Sequence, residues 1–302
     1  MILCFDIGGT TMKGGYARAV DDIQVLDRVP TPGRDFDAFA GVIRAAIAAA
    51  PEPVRAVAIA IPGIIEPGSG LGVVANVPCL TGRPVAADLT QALGLPVILG
   101  NDADCFALAE VAVGAGREHR VVFGIILGTG VGGGLVIDGR LINAEGGFAG
   151  EWGHGPVAAR LAGDPALEIP RWPCGCGQAG CLDVTISARG MERLHRLSCG
   201  REATSLDIIA AWEAGEGEAA RTVALWLEIA AAPLAMLVNT TAADILPVGG
   251  GLGNSARLVG ALDEATRALT MRRFGRPLVV PALCRVEPGL VGAAWLGFAA
   301  LA

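Results

Sequence analysis

Leu127-Gly128-Thr129-Gly130-Val131-Gly132-Gly133-Gly134-Leu135-Val136-Ile137 decides how the chain is read. Gly128, Gly130 and Gly133 fit the G-x-G-x-x-G pattern of dinucleotide-binding proteins. That pattern works only when a helix follows the glycines, so that pyrophosphate meets a helix N-terminus. Here the glycines lead into Leu135-Val136-Ile137, a strand closed by Asp138-Gly139, which is a hairpin signal. The glycines at 128–134 therefore form a turn between two strands, and the nicotinamide-dinucleotide reading falls. A turn of this kind presents backbone N–H groups that can wrap the β- and γ-phosphates of a nucleotide.

The strand entering this turn, 121–127, has an echo at the start of the chain. Residues 2–7 are an apolar strand running into Asp6-Ile7-Gly8-Gly9-Thr10. Glycine lets backbone N–H groups converge on an anion, and Asp6 is placed to hold Mg²⁺ or its water. The competing reading of this turn is a tight hairpin with a capping Asp. Gly249-Gly250-Gly251 is a third glycine turn, with a strand before and a helix after. It is either a seat for adenosine or the α-phosphate, or a plain connecting loop. A P-loop is excluded: the only lysine, Lys13, has Met12 before it and Gly14 after it.

Between the turns, strands and helices alternate, which predicts an α/β fold. Expected helices cover 35–50, 88–93, 103–113, 186–197, 206–214, 218–239, 255–272 and 290–300. Further strands are expected at 54–61, 96–99, 245–248 and 278–280. The long irregular stretch 142–173 reads as functional. Asn101-Asp102 stands at the end of the strand at 96–99, where ligands of α/β sheets bind. Asp102 there is a candidate base toward a substrate hydroxyl, with Asn101 holding a neighbouring hydroxyl. The competing reading is that Asp102 or Asn101 caps the next helix.

Composition bounds the partners. The net charge is −7 and no basic cluster exists, so nucleic acid is not expected. Mean hydropathy is positive, +0.53. The most apolar stretch, 222–241, is broken by Glu228 and Pro233 and reads as a buried, proline-kinked helix, so no membrane span is expected. A strand begins at Ile2 with no basic, then apolar, leader, which predicts a cytoplasmic protein with reduced thiols.

In that setting Cys174-Gly-Cys176-Gly-Gln-Ala-Gly-Cys181 reads as a metal loop. Three close thiolates separated by small residues suit tetrahedral Zn²⁺. Of the three histidines, His154 in Glu151-Trp-Gly-His154 is the best fourth ligand, since His119 and His195 sit among charged residues. Four protein ligands make such a site structural. The alternative is a set of free or redox-active thiols.

Together these motifs resemble the ROK sugar kinases over nearly the whole chain, and most of all the bacterial N-acetylglucosamine kinases. The resemblance rests on Asp6-Ile-Gly-Gly-Thr10, Asn101-Asp102-Ala103, the 127–134 turn, Glu151-Trp-Gly-His154, the cysteine run and Val248-Gly-Gly-Gly251. Val29-Pro-Thr-Pro32, Ala75-Asn-Val-Pro78 and Gly82-Arg-Pro84 add to it. It implies a duplicated, actin-like (ribonuclease H-like) fold: an α/β domain at 1–117, onto which a final helix at about 289–302 packs back, and a larger one at 118–288, around a cleft. It implies transfer of a phosphoryl group from ATP–Mg²⁺ to the 6-hydroxyl of an amino-hexose, most of all N-acetyl-D-glucosamine, with glucose, mannose and fructose as alternatives. Asp102 becomes the catalytic base. Asn76, Asn101, Asp102, Glu151, His154 and Asp183 become sugar-binding groups. Asp6, Gly8, Gly9, Thr10, Gly128, Thr129, Gly130, Gly132, Gly133, Gly250 and Gly251 become the nucleotide site. His154, Cys174, Cys176 and Cys181 hold a structural zinc. A homodimer is implied as well.

One position departs from the family pattern: Asp183 stands where a sugar-contacting Glu is usual. Its shorter reach puts substrate identity in question, not reaction type. The family also contains non-enzymatic sugar sensors with an N-terminal helix-turn-helix. A first strand at Ile2 and the presence of Asp102 argue against that alternative.

Overall fold

A computed structural model of the chain describes residues 1–74, 76–142, 148–284 and 287–302. Ala75 of the 75–78 motif and part of the long 142–173 stretch thus lie outside the described residues. The chain divides into two compact units. The first comprises residues 1–117, 139–149 and 284–302, and the second 118–138 and 150–283. Two stretches depart from the expected boundaries. The chain returns to the first unit at Cys284, not 289, because Cys284 N–H donates to the buried Glu110 carboxylate at 2.8 Å. Residues 139–149 also belong to the first unit, where Gly139 lies against Trp295.

In the first unit β1 (Ile2–Ile7) and β2 (Thr11–Ala19) form an antiparallel hairpin, and β3 (Asp22–Val25) continues it. On the other side of β1 lies β4 (Ala56–Ile61), parallel to it, and then β5 (Val97–Asn101), parallel to β4. Residue alternation sorts the two faces. Leu3, Phe5, Ile7, Val57, Ile59 and Ile61 join Phe39 and Ile43 of α1 (Phe36–Ala48) and Leu89 of α2 (Val85–Leu93). Ile2, Cys4, Ala56, Ala58 and Ala60 face the C-terminal helix, Pro288–Ala300. That face is built of small residues because the helix comes close. A side chain at Gly297 would strike Ile2, and one at Gly292 would strike the Cys105 backbone on α3 (Asp102–Val113). With both faces covered, β4 reads as an unbroken apolar run and β1 as one broken only by Asp6 near its end.

The second unit follows the same plan. β6 (Val121–Leu127) and β7 (Val131–Ile137) form an antiparallel hairpin. β8 (Leu246–Gly249) lies parallel to β6, and β9 (Val279–Pro281) parallel to β8. Around this sheet stand α4 (Asp183–Ile186), α5 (Ala188–Cys199), α6 (Ser205–Glu213), α7 (Gly217–Thr241) and α8 (Ala256–Leu269). By length and composition α7 passes for a membrane span. It is instead a core helix: Trp226, Ile229 and Leu234 are buried in the unit's core, and the Trp226 indole donates to the Ile186 carbonyl at 2.8 Å.

Three differences from the sequence reading have local causes. The helix expected at 186–197 is two helices, since Ser187 is extended and caps α5 through the Gly190 N–H. The glycine turn ends at Gly130, and Gly132, Gly133 and Gly134 are strand residues. β2, the longest strand described, went unread because Thr-Met-Lys-Gly-Gly-Tyr-Ala-Arg-Ala lacks β composition. Gly15 sits there because a side chain would strike Ile23 across the sheet.

Candidate functional site

Each leading hairpin turns on glycines. In the first unit Gly8 N–H donates to the Thr11 carbonyl at 2.8 Å, closing the turn. The Thr31 hydroxyl donates to the Gly8 carbonyl at 2.7 Å, and Thr31 N–H donates to the Thr10 carbonyl at 3.0 Å. Gly9 packs on Asn76: a Cβ at Gly9 would lie 3.0 Å from the Asn76 Cβ. The 6–10 motif is thus a tight hairpin that carries Asp6 at its base.

Asp6 is accompanied by groups the sequence did not flag. Lys13 Nζ lies 3.4 Å from Asp6 Oδ2 and 2.8 Å from Glu287 Oε2, while Arg28 Nη2 lies 2.8 Å from Glu287 Oε1. Gly289 brings backbone against the Asp6 carboxylate, where a Cβ would approach Asp6 Cγ to 2.5 Å. Burial raises the Asp6 pKa above the ordinary aspartate value despite Lys13. Lys13 is itself shifted up: burial works against its charge, but its two carboxylate partners outweigh that. Strand alternation from Thr11 would have pointed Lys13 toward Asp6 had β2 been read. Glu287 gave no local signal, being 281 residues further along the chain.

At the end of β5 the capping role falls to Asn101. Its Oδ1 accepts the N–H groups of Ala103 at 2.8 Å and Asp104 at 3.3 Å, and its Nδ2 donates to the Gly63 carbonyl at 3.0 Å. Asp102 is the first residue of α3, and its Oδ1 also meets the Ala103 N–H, at 2.8 Å.

The second unit gathers the remaining candidates. Gly128 N–H donates to the Gly130 carbonyl at 3.0 Å, and the Gly128 carbonyl accepts from Ala188 N–H at 2.8 Å. Gly250, with φ of 81°, lies against this turn: a Cβ there would strike the Leu127 carbonyl oxygen. Two of the three glycine turns are therefore neighbours, with Thr129 exposed beside them. Gly132 and Gly133 also make contacts within the unit. The Trp152 indole donates to the Gly132 carbonyl at 2.9 Å, and a side chain at Gly133 would strike Phe123 and Trp152. Trp152 was not anticipated, although it stands inside the 151–154 motif.

His154 points two ways. Its Nδ1 lies 3.6 Å from Cys174 Sγ, and its Nε2 lies 3.5 Å from Glu151 Oε2. Burial raises the Glu151 pKa, an effect that His154 opposes. The cysteine loop folds back on itself, with Cys174 N–H donating to the Gln178 carbonyl at 2.8 Å and Gly177 N–H to the Cys174 carbonyl at 3.0 Å. The donor atoms of His154, Cys174, Cys176 and Cys181 all lie within 4.8 Å of one another. Cys176 and Cys181 sulfurs are 3.7 Å apart. Tetrahedral zinc with Zn–S bonds of about 2.3 Å requires S···S spacings of about 3.8 Å. The donor set and spacing therefore fit zinc. Burial pushes the Cys174 thiol up to about 12 and raises Cys181, so a cation is needed to hold these sulfurs as thiolates.

Asp183 opens α4 just beyond Cys181. Its Oδ1 accepts the Val131 N–H at 2.8 Å, and its own N–H donates to the Gly153 carbonyl at 2.9 Å. Of the sequence-derived candidates, Asp6, Gly8, Gly9, Thr10, Asn76, Asn101 and Asp102 belong to the first unit. All the others belong to the second.

Two sheets of one design, each with a glycine turn at the tip of its leading hairpin, define an actin-like α/β protein, here with a Cys/His cluster that could hold a metal ion in its second unit. The chain belongs to the ROK family, whose model matches residues 2–299. It is 36% identical over 295 residues to an N-acetylgalactosamine kinase of Shewanella sp. (strain ANA-3), covering 97% of this chain and 95% of that one. It is 35% identical over 295 residues to an N-acetyl-D-glucosamine kinase of Salmonella gallinarum (strain 287/91 / NCTC 13346), covering 97% of each. Among solved structures, a ROK hexokinase from Thermus thermophilus superposes with a TM-score of 0.84 at 28% identity, covering 99% of this chain and 98% of that one.

Proposed function

We propose that the chain is an ATP-dependent hexose kinase that phosphorylates the 6-hydroxyl of an N-acetylated amino-hexose, with N-acetyl-D-glucosamine as the preferred substrate. The observation that carries this reading is the end-to-end similarity to kinases of two N-acetylated hexoses.

In this reading Asp102 takes the proton of the attacking hydroxyl, and Asn101, fixed by its cap and by Gly63, holds a neighbouring hydroxyl. Asn76, Glu151 and His154 hold the remaining sugar hydroxyls. The two neighbouring glycine turns of the second unit and the 8–10 turn of the first supply backbone N–H groups to the nucleotide. Asp6 holds Mg²⁺ or its water. Lys13 works against the burial that raises the Asp6 pKa and so favours the ionised carboxylate that Mg²⁺ needs. Zinc, when bound, supplies rigidity and no covalent chemistry. The four ligands fix the loop so that His154 keeps Nε2 turned to Glu151. Positioning and charge stabilisation then account for most of the rate. A cytoplasmic setting and a homodimer complete the reading.

The test is ADP release with ATP–Mg²⁺ against N-acetylglucosamine, N-acetylgalactosamine, N-acetylmannosamine, glucose, mannose and fructose. The reading expects the highest kcat/KM on N-acetylglucosamine. Turnover on none of them, with sugar binding retained, makes the chain a sensor instead.

A further inference from the structure

The Asp183 carboxylate is committed to the protein. Oδ1 takes the Val131 N–H at 2.8 Å, where the glycine turn passes into β7. Oδ2 lies 3.7 Å from Cys174 Sγ. The backbone of the same residue donates to Gly153, between Glu151 and His154. One residue thus touches all three: its side chain meets the turn and the cysteine loop, and its backbone meets the 151–154 segment. Gly130 is shaped for this contact, since a Cβ there would come to 2.7 Å of Asp183 Oδ1. The other end of the turn is held by the bond from Ala188 N–H to the Gly128 carbonyl. Between those two anchors, the direction of the backbone N–H groups at 128–131 depends on where Asp183 stands. Asp183 in turn is only two residues beyond Cys181, so the loop closed by the four donors sets its position.

We propose that Asp183 is a positioning residue of the glycine turn, holding residues 128–131 in register from the cysteine loop, rather than a group that meets the sugar. The proposal rests on the reading of that turn as a phosphate seat. It adds that the metal loop acts on nucleotide binding as well as on the sugar. The physical basis is one charge-assisted hydrogen bond to a backbone N–H at a turn whose geometry the ligand needs preformed.

The test measures binding of a non-hydrolysable ATP analogue with Mg²⁺, and separately of N-acetylglucosamine, to the zinc-loaded full chain by calorimetry. Steady-state KM values for ATP and sugar are measured beside them. Asp183→Ala is expected to weaken the analogue about tenfold or more, the worth of a hydrogen bond to a charged group, and to change sugar affinity less than about threefold. Asp183→Asn keeps an oxygen for Val131 and is expected to stay within about threefold of wild type. Should the alanine variant fail to fold, Asp183→Ser serves in its place, because its shorter side chain falls short of the Val131 N–H. Loss of sugar affinity with analogue binding intact overturns the proposal, as do equal losses of both or no change in either. Gly130→Val separates the two levels. If it leaves analogue binding unchanged, the turn is not a phosphate seat and the underlying reading has failed. If it weakens the analogue while Asp183→Ala does not, only the assignment of Asp183 has failed.

Discussion

The Trp152 indole donates its Nε1–H to the carbonyl of Gly132 at 2.9 Å, which anchors the segment carrying Glu151 and His154 to the strand that follows the glycine turn. Trp152→Phe keeps a ring against Gly133 but removes this bond, worth about 1 kcal/mol. The expected outcome is a sugar KM raised roughly fivefold with the KM for ATP nearly unchanged. An unchanged sugar KM in steady-state kinetics would show that the anchor does not position the segment.

Two glycines in the same unit should respond oppositely to alanine. At Gly133 a Cβ would come to 2.6 Å of Phe123 and 2.7 Å of the Gly124 carbonyl oxygen, and backbone cannot yield. Gly133→Ala is expected to cost about 1–3 kcal/mol of stability, read from the urea midpoint. At Gly251 nothing lies within 4 Å of the added atom and φ is −58°. Gly251→Ala should leave the midpoint unchanged, so a rise in its KM for ATP reports nucleotide contact directly.

Around the single lysine, Asp6 and Glu287 titrate in opposite senses. Burial works to raise Glu287, but hydrogen bonds from Lys13 and Arg28 outweigh it and bring the pKa below the ordinary glutamate value. A depressed carboxylate stabilises the fold above its unfolded pKa and loses that contribution as pH falls through the folded one. Asp6, raised by burial, contributes in the reverse direction: fully below its unfolded pKa, and less as pH rises through the folded one. Glu287→Gln is therefore expected to lower the unfolding free energy by about 1 kcal/mol near neutral pH. The gap should close as pH drops below the ordinary glutamate pKa, about 4.3. A gap that widens in acid would contradict this assignment. Lys13→Met removes the charge that lowers Asp6, so its proton is held to still higher pH, and the acid limb of kcat/KM should move upward.

Metal analysis of the purified chain is expected to give one zinc per chain, lost in Cys176→Ser. Because folding free energy and metal affinity are linked, a strong chelator should lower Tm as well as sugar affinity. A metal-free Cys176→Ser protein with wild-type Tm and activity would take zinc out of the account.

Much of this was legible in the sequence because it was local. The buried strands stand out as apolar runs, 121–127 without a charge and 2–7 and 54–61 interrupted only by Asp6 and Arg55, and the strand after the glycines excluded a dinucleotide fold. The cysteine spacing pointed to a metal loop and the choice among three histidines to His154, and the four donors do lie within 4.8 Å of one another. What stayed hidden depended on long-range packing. β2 is rich in Gly and polar residues because its neighbours need the space, as Ile23 does against Gly15. Gly133 has a packing reason that no local pattern shows, since Phe123 and Trp152 leave no room there for a side chain. The Lys13–Glu287 pair joins the two ends of the chain, and no local pattern announces it.

In the proposed reaction Asp102 is the base for phosphoryl transfer to an amino-hexose. The most direct test compares wild type with Asp102→Asn on N-acetylglucosamine, by ADP release for turnover and by calorimetry for sugar binding. The side chains are nearly the same size, so the substitution leaves the Asn101 cap of α3 in place. The expected outcome is a loss in kcat of about 10² or more, the scale of general-base catalysis, with sugar affinity retained. Near-normal turnover by Asp102→Asn would contradict it.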